Sequence, residues 1–181
     1  MPTSSLAIEP IAPAVRVPFR TLYEQHFAFT WRALRYLGVP EALVDDAAQE
    51  LWVVVHRRYA DFEGRSDVKT WLFAIAVNIE RNIRRVERRR GSQVPLPPEL
   101  QTSHGDPLLA REEKEAWALV RGFVDTLDEA RRAVFAAALV EGLSAAETAA
   151  ITGLSLETVY NRVRALKRSF NSWVEQHQRE P

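Results

Sequence analysis

Apolar side chains recur along most of the chain at steps of three and four residues, the spacing that gathers them on one face of an α-helix. Leu22, His26, Phe29, Ala33 and Leu37 predict a first helix over Phe19 to Leu37, stopped by Gly38. Pro40 suits the opening turn of a second helix reaching about Tyr59, with Val44, Ala48, Leu51 and Val55 inward. After a loop from Asp61 to Arg65, a third helix from about Ser66 to Arg88 turns Leu72, Ile75, Ile79, Ile83 and Val86 toward the same core. The alternation typical of strands is confined to Val53–Val55, so the expected fold is all-α.

The pattern then breaks. Between Gly91 and Gly105 the chain carries Pro95, Pro97 and Pro98 with few apolar side chains, which marks residues 91–107 as a linker. Asp106-Pro107 starts a helix whose apolar face is Leu109, Ala116, Val120, Phe123 and Leu127, and a further helix fits Glu129 to Glu141. Ser144-Ala-Ala-Glu147 is a capping box that opens a short helix to Ile151. Gly153 supplies a left-handed turn, and Ser155 caps a last helix to about Trp173. These elements predict two small helical domains, residues 19–90 and 108–175, joined by a proline-rich linker, the C-terminal one a helix-turn-helix. A flexible extension, residues 1–18, precedes them and holds Pro2, Pro10, Pro13 and Pro18.

Composition narrows the function more than the fold. With 181 residues, 46% hydrophobic and 27% charged, the chain can bury a core and is too apolar for wholesale disorder. Its longest apolar runs, Trp71 to Val77 and Ala133 to Val140, fall far short of the ~20 residues of a spanning helix. Residues 1–18 lack the charged start and apolar block of a signal peptide, so a cytoplasmic protein without membrane insertion is expected. There is no cysteine, and His26, His56, His104 and His177 are scattered. No catalytic residue, metal or cofactor is therefore expected, and the chain does not read as an enzyme.

Twenty-four basic residues balance 24 acidic ones, yet the charges are segregated. Residues 81–90 hold six arginines against Glu87 alone, whereas residues 99–129 hold eight acidic residues against three basic ones. A phosphate responds to such local charge rather than to the net value. On the third helix Trp71, Asn78, Asn82, Arg85 and Arg89 fall within about 60° of one another at 100° per residue. An aromatic ring, two amides and two cations on one stripe suit an unstacked single strand, through stacking, edge hydrogen bonding and neutralisation. A tryptophan at helical spacing serves a core equally well, and mid-helix asparagines are the more telling members.

On the last helix Val159, Val163, Leu166 and Phe170 define the inner face and leave Glu157, Asn161, Arg164 and Arg168 outside, flanked by Tyr160 and Arg162. A capped helix pair with a basic second helix fits a major groove, its first turns on base edges and its arginines on phosphates. On the second helix Asp46, Gln49 and Glu50 share a polar face. It is either a solvated helix side or a docking face for a basic partner surface.

Two motif sets now stand in order. Asp45-Asp46-Ala-Ala-Gln49-Glu50, Phe62-Glu-Gly64-Arg65 and Lys69-Thr70-Trp71-Leu72-Phe73-Ala-Ile75-Ala76-Val-Asn78 form the first; Leu143-Ser144-Ala-Ala-Glu147-Thr-Ala149 and Gly153-Leu-Ser155-Leu-Glu-Thr158-Val159-Tyr-Asn-Arg162-Val163 form the second. Together they resemble the extracytoplasmic-function sigma factors of bacterial RNA polymerase, a branch of the sigma-70 family, over about Phe19 to Trp173. The resemblance implies that Asp46, Gln49 and Glu50 dock on the β′ clamp helices of core polymerase. It places Ser66, Asp67, Lys69, Trp71, Asn78, Asn82, Arg85 and Arg89 at the minus-10 element, where a flipped base is captured. Ser155, Thr158, Tyr160, Asn161, Arg162, Arg164 and Arg168 are implied to read the minus-35 duplex, in a domain that also touches the β flap. A cognate anti-sigma factor is a further implied partner. Asn82, Val77 and Tyr160-Asn161 depart from the residues usual in the family, which bears on the promoter sequence read.

The resulting expectation is a promoter-specificity subunit that binds core polymerase, recognises the minus-35 and minus-10 elements and promotes melting. A polymerase-independent helix-turn-helix regulator is the alternative from another class, and it would bind an operator unaided.

Overall fold

The computed structural model describes residues 17–90 and 107–177; the expected extension up to residue 16 and the proline-rich linker up to residue 106 lie outside them. Seven α-helices follow one another among the described residues: α1 (Phe19–Leu37), α2 (Val44–Arg58), α3 (Val68–Arg90), α4 (Pro107–Asp125), α5 (Glu129–Val134), α6 (Ala145–Thr152) and α7 (Leu156–His177). No strand occurs among these residues, and Val53–Val55 lies within α2.

Local chemistry sets the boundaries. Gly38 ends α1 in the left-handed conformation, with φ of 92° and its N–H on the Arg35 carbonyl. Leu43 N–H bonds to the Pro40 carbonyl, so Glu41–Leu43 form a tight 3₁₀ turn and α2 starts at Val44, later than Pro40 alone suggests. At α3 the Asp67 carboxylate accepts from the Lys69 N–H at 2.8 Å, which makes Asp67 the cap and leaves Ser66 outside the helix. The expected single helix over Glu129 to Glu141 is α5 followed by a π-helical segment, Phe135–Val140.

α1, α2 and α3 enclose a core of Leu22, Phe29, Leu34, Leu51, Leu72 and Phe73 with their neighbours. Its buried polar pair is satisfied: Trp52 Nε1 donates to Thr30 Oγ1 at 3.1 Å, and that hydroxyl donates to the Phe27 carbonyl at 2.9 Å. Val86, expected inward, is 36% exposed, because the core fades at the half-buried Ile83. Phe123, Val124, Leu127, Val134, Phe135 and Leu166 make the second core, against which Val163, Phe170 and Trp173 pack. Ala116, expected on its apolar face, is exposed.

The two domains are packed together, which the sequence pattern did not indicate. α5 and the π-helical segment lie between the cores, with Val134 and Phe135 facing one and Ala133, Ala136 and Ala137 joining the other. Alanines at the contact let the backbones approach closely. Arg132, 7% exposed, donates to the carbonyls of Leu37 at 3.5 Å, Val124 at 3.3 Å and Leu127 at 2.9 Å. One buried cation therefore satisfies carbonyls at the end of α1 and just past α4. Arg121 adds a bond to the Val39 carbonyl at 3.3 Å. Arg35 lies between the rings of Trp31 and Trp117, at 4.7 and 3.9 Å.

Candidate nucleic-acid interface

The polar face of α2 is built as the spacing implies, with Asp46, Gln49 and Glu50 all exposed. Asp45 is committed elsewhere, accepting from Trp31 Nε1 at 2.9 Å. Beside this face runs a groove of about 520 Å³ walled by Tyr23, Phe27, Trp52, Val53 and Gln49. Tyr23, Phe27 and Val53 are exposed although apolar. They lie off the inward stripes of α1 and α2, and that misplacement is the sequence signal by which the groove could have been found.

On α3 the expected stripe is partly assembled. Asn78, Arg85 and Arg89 are exposed along one side, and Asn82 is half-buried, its side-chain oxygen accepting from Arg85 Nη2 at 2.9 Å. Trp71 differs from a free base platform. It is half-buried against the first core and meets the Phe62 ring at 4.7 Å between centroids, so much of its surface is already used. Ser66, Asp67 and Lys69 are exposed at the start of the helix, with Asp67 spent on the cap. Arg84 is a structural partner: its Nε lies 2.6 Å from the buried carboxylate of Glu80. Burial pushes the Glu80 carboxyl above its usual range, and the hydrogen bond and charge of Arg84 pull against that rise.

α6 and α7 form the helix-turn-helix. Ser144 N–H donates to Glu147 Oε2 at 2.8 Å while Glu147 N–H donates to Ser144 Oγ at 3.2 Å, the reciprocal box expected from the sequence. Gly153 makes the turn at φ of 73°. Ser155 Oγ accepts from the Thr158 N–H at 3.2 Å and shares a 2.7 Å bond with Thr158 Oγ1, so both side chains hold the start of α7. Tyr160, 59% exposed, stands out with Asn161, Arg164 and Arg168, all exposed. Arg162 is half-buried, with an Nη1 that reaches neither solvent nor a hydrogen-bond partner among the described residues.

Between these surfaces the second domain lays three carboxylates on the first. Glu141 takes two hydrogen bonds from Arg32, at 3.2 and 3.1 Å. Glu147 accepts from Thr70 Oγ1 at 2.5 Å. Glu129 accepts from Arg81 at 3.1 Å and from Arg88 at 3.2 Å. The Ser144 hydroxyl, the Thr70 hydroxyl and the Ser144 N–H together lower the pKa of Glu147. In the sequence Glu129 is one of the acids that balance the arginines, with nothing to pair it with any of them. Among the described residues no group of three or more His, Asp or Glu could hold a metal ion, and no helix is long and apolar enough to cross a membrane.

Comparison with known proteins matches both halves. Residues 22–90 match the family described as Sigma-70 region 2, and residues 118–169 match Sigma-70, region 4. The chain is 31% identical over 145 residues to the ECF RNA polymerase sigma factor RpoE of Cereibacter sphaeroides, covering 77% of each chain. It is 29% identical over 153 residues to the RNA polymerase sigma factor CnrH of Cupriavidus metallidurans, covering 80% of each. The solved structure of CnrH in complex with the cytosolic domain of CnrY superposes with a TM-score of 0.64 at 26% identity, covering 87% of this chain and 88% of that one.

Proposed function

The chain belongs to the extracytoplasmic-function group of the sigma-70 family, and from that premise we propose how its surfaces divide the work of an RNA polymerase sigma factor. The protein binds core polymerase, recognises the minus-35 and minus-10 promoter elements and promotes opening of the duplex. The chemistry of RNA synthesis belongs to the polymerase, and the chain acts in the cytoplasm as a non-catalytic subunit.

Asp46, Gln49 and Glu50 dock on the β′ clamp helices. The carboxylates of Asp46 and Glu50 attract a basic surface, while the adjoining groove of Tyr23, Phe27, Trp52 and Val53 offers apolar area to the same partner. Asn78 and Asn82 present amide edges to an extruded base of the minus-10 strand, and Arg85 and Arg89 neutralise its backbone. Trp71, backed by Phe62, supports the start of that surface. α7 enters the major groove of the minus-35 duplex with Tyr160 and Asn161 toward base edges and Arg164 and Arg168 toward phosphates, while Arg162 flanks them. Ser155 and Thr158 fix the first turn that carries these residues. The second domain also meets the β flap. An anti-sigma factor restrains the protein until it is needed, bound to it as the cytosolic domain of CnrY is bound to CnrH.

The observation that carries this reading is the pairing of an exposed acidic face on α2 with a capped helix-turn-helix whose second helix is basic on its outer side. Co-elution with bacterial core RNA polymerase on a sizing column tests it. Wild-type protein is expected to co-elute, and Asp46→Lys with Glu50→Lys is expected to lose that binding while keeping its helical circular dichroism. Unchanged co-elution of the double variant would remove the docking assignment. A folded wild type that fails to co-elute would favour the polymerase-independent regulator.

A further inference from the structure

The second domain turns two of its carboxylates, Glu147 and Glu129, toward α3, and Glu129 bridges two of that helix's arginines. Arg81 and Arg88 are two turns apart on α3, so at 100° per residue they leave the helix within about 20° of each other, beside Arg85. Glu129 bridges them, Oε1 accepting from Arg81 Nε at 3.1 Å and Oε2 from Arg88 Nη2 at 3.2 Å. Two guanidiniums on two oxygens of a single anion is an arrangement that also suits a phosphodiester.

The three side chains are 43%, 69% and 37% exposed, so water and a competing anion reach them. Arg84 on the same helix shows what a structural arginine looks like here, since its carboxylate partner Glu80 is buried. Among the described residues Arg81 and Arg88 have no such buried partner, and an exposed ion pair is weakly held.

Building on the sigma-factor reading, we propose that Arg81 and Arg88 form a phosphate-binding pair for the promoter backbone beside the minus-10 strand, and that Glu129 occupies it while DNA is absent. The second domain then competes with DNA for α3. The bonds from Arg32 to Glu141 and from Thr70 to Glu147 hold that domain in place, so binding of DNA at Arg81 and Arg88 favours its departure from the first. The same departure frees α7 to reach a second promoter element farther along the duplex.

Glu129→Gln keeps the shape of the side chain and removes its charge at a surface position, and it isolates the competition. Binding of the free protein to oligothymidylate, a sequence-neutral strand, is measured by fluorescence anisotropy across a range of salt concentrations. The variant is expected to bind up to about fivefold tighter, the worth of one exposed ion pair. Its salt dependence should steepen by about 0.7 for each additional phosphate neutralised. Arg81→Ala with Arg88→Ala should weaken binding, and adding Glu129→Gln to that pair should bring no further increase. Wild-type affinity in Glu129→Gln, or tighter binding that persists without both arginines, would overturn the proposal. Failure of the sigma-factor reading is distinguishable, because it shows as absent co-elution with polymerase, whereas this competition is read on the free protein.

Discussion

α3 and α7 are both long amphipathic helices with arginines outside their apolar stripes, and they differ in what those arginines meet. On α7, Arg164 and Arg168 are exposed beside Tyr160 and Asn161. On α3, Arg84 is bound to Glu80, Arg85 to Asn82, and Arg81 with Arg88 to Glu129 of the other domain. A run of like charges in one segment thus resolves into separate duties. One arginine holds a buried acid, one orders an amide, and two are matched across a domain boundary. The general point is that local charge density announces an anion site, while neighbours decide whether that site is open.

Disrupting the packing between the domains should erase the difference most strongly. Arg132→Ala leaves carbonyls of Leu37, Val124 and Leu127 without their cation, and a destabilisation of about 3 kcal/mol is expected in chemical unfolding. Hydrogen exchange should rise on both sides of the boundary, at the end of α1 and along α5, while the interior of α2 stays protected. Equal protection throughout would mean that Arg132 does not join the domains.

A smaller effect probes the open side. Arg164→Ala with Arg168→Ala is expected to lower the salt dependence of duplex binding by about 0.9 for each phosphate left without its arginine. Because neither Arg164 nor Arg168 has an acidic partner among the described residues, this decrease should be the same with or without Glu129→Gln. A dependence on Glu129 would show that the two surfaces are coupled beyond the ion pairs at α3.

The smallest expected change concerns Glu147. Its pKa is lowered by hydrogen bonds from Ser144 and Thr70, so the stability it contributes is complete above the ordinary carboxylate pKa and is lost as the pH falls through the lowered value. Thermal unfolding of wild type and Glu147→Gln should therefore differ at neutral pH and converge in acid. Thr70→Val, which removes only the bond between domains, should reproduce part of that difference and leave the capping box intact.

Much of this organisation is legible one segment at a time. The steps of three and four locate α1 and the inward faces of α2 and α3, and Ser144, Glu147, Gly153 and Ser155 mark the helix-turn-helix, because caps and turns are chemistry between residues close in sequence. α3 starts two residues later than the pattern suggests because the Asp67 side chain, not Ser66, captures an N–H. Trp71 is ambiguous in sequence because helical spacing alone does not reveal that Phe62 lies on its ring. The groove beside Gln49 is only hinted at there, by Tyr23, Phe27 and Val53 lying off the inward stripes, since two helices must lie side by side before the three converge.

Residue order alone is enough to specify an all-helical chain in two parts, an acidic face on α2, an arginine-rich α3 and a capped helix pair at the end. Each of these depends on backbone geometry within one segment, where side-chain period and local hydrogen bonds suffice. It took the packed molecule to assign Ala133, Ala136 and Ala137 to the first core, to set Arg132 between the ends of α1 and α4, and to lay Glu129 over Arg81 and Arg88. The pairings that cross the domain boundary join residues tens of positions apart. Periodicity fixes which face a side chain is on, whereas its partner is set by the packing of whole helices.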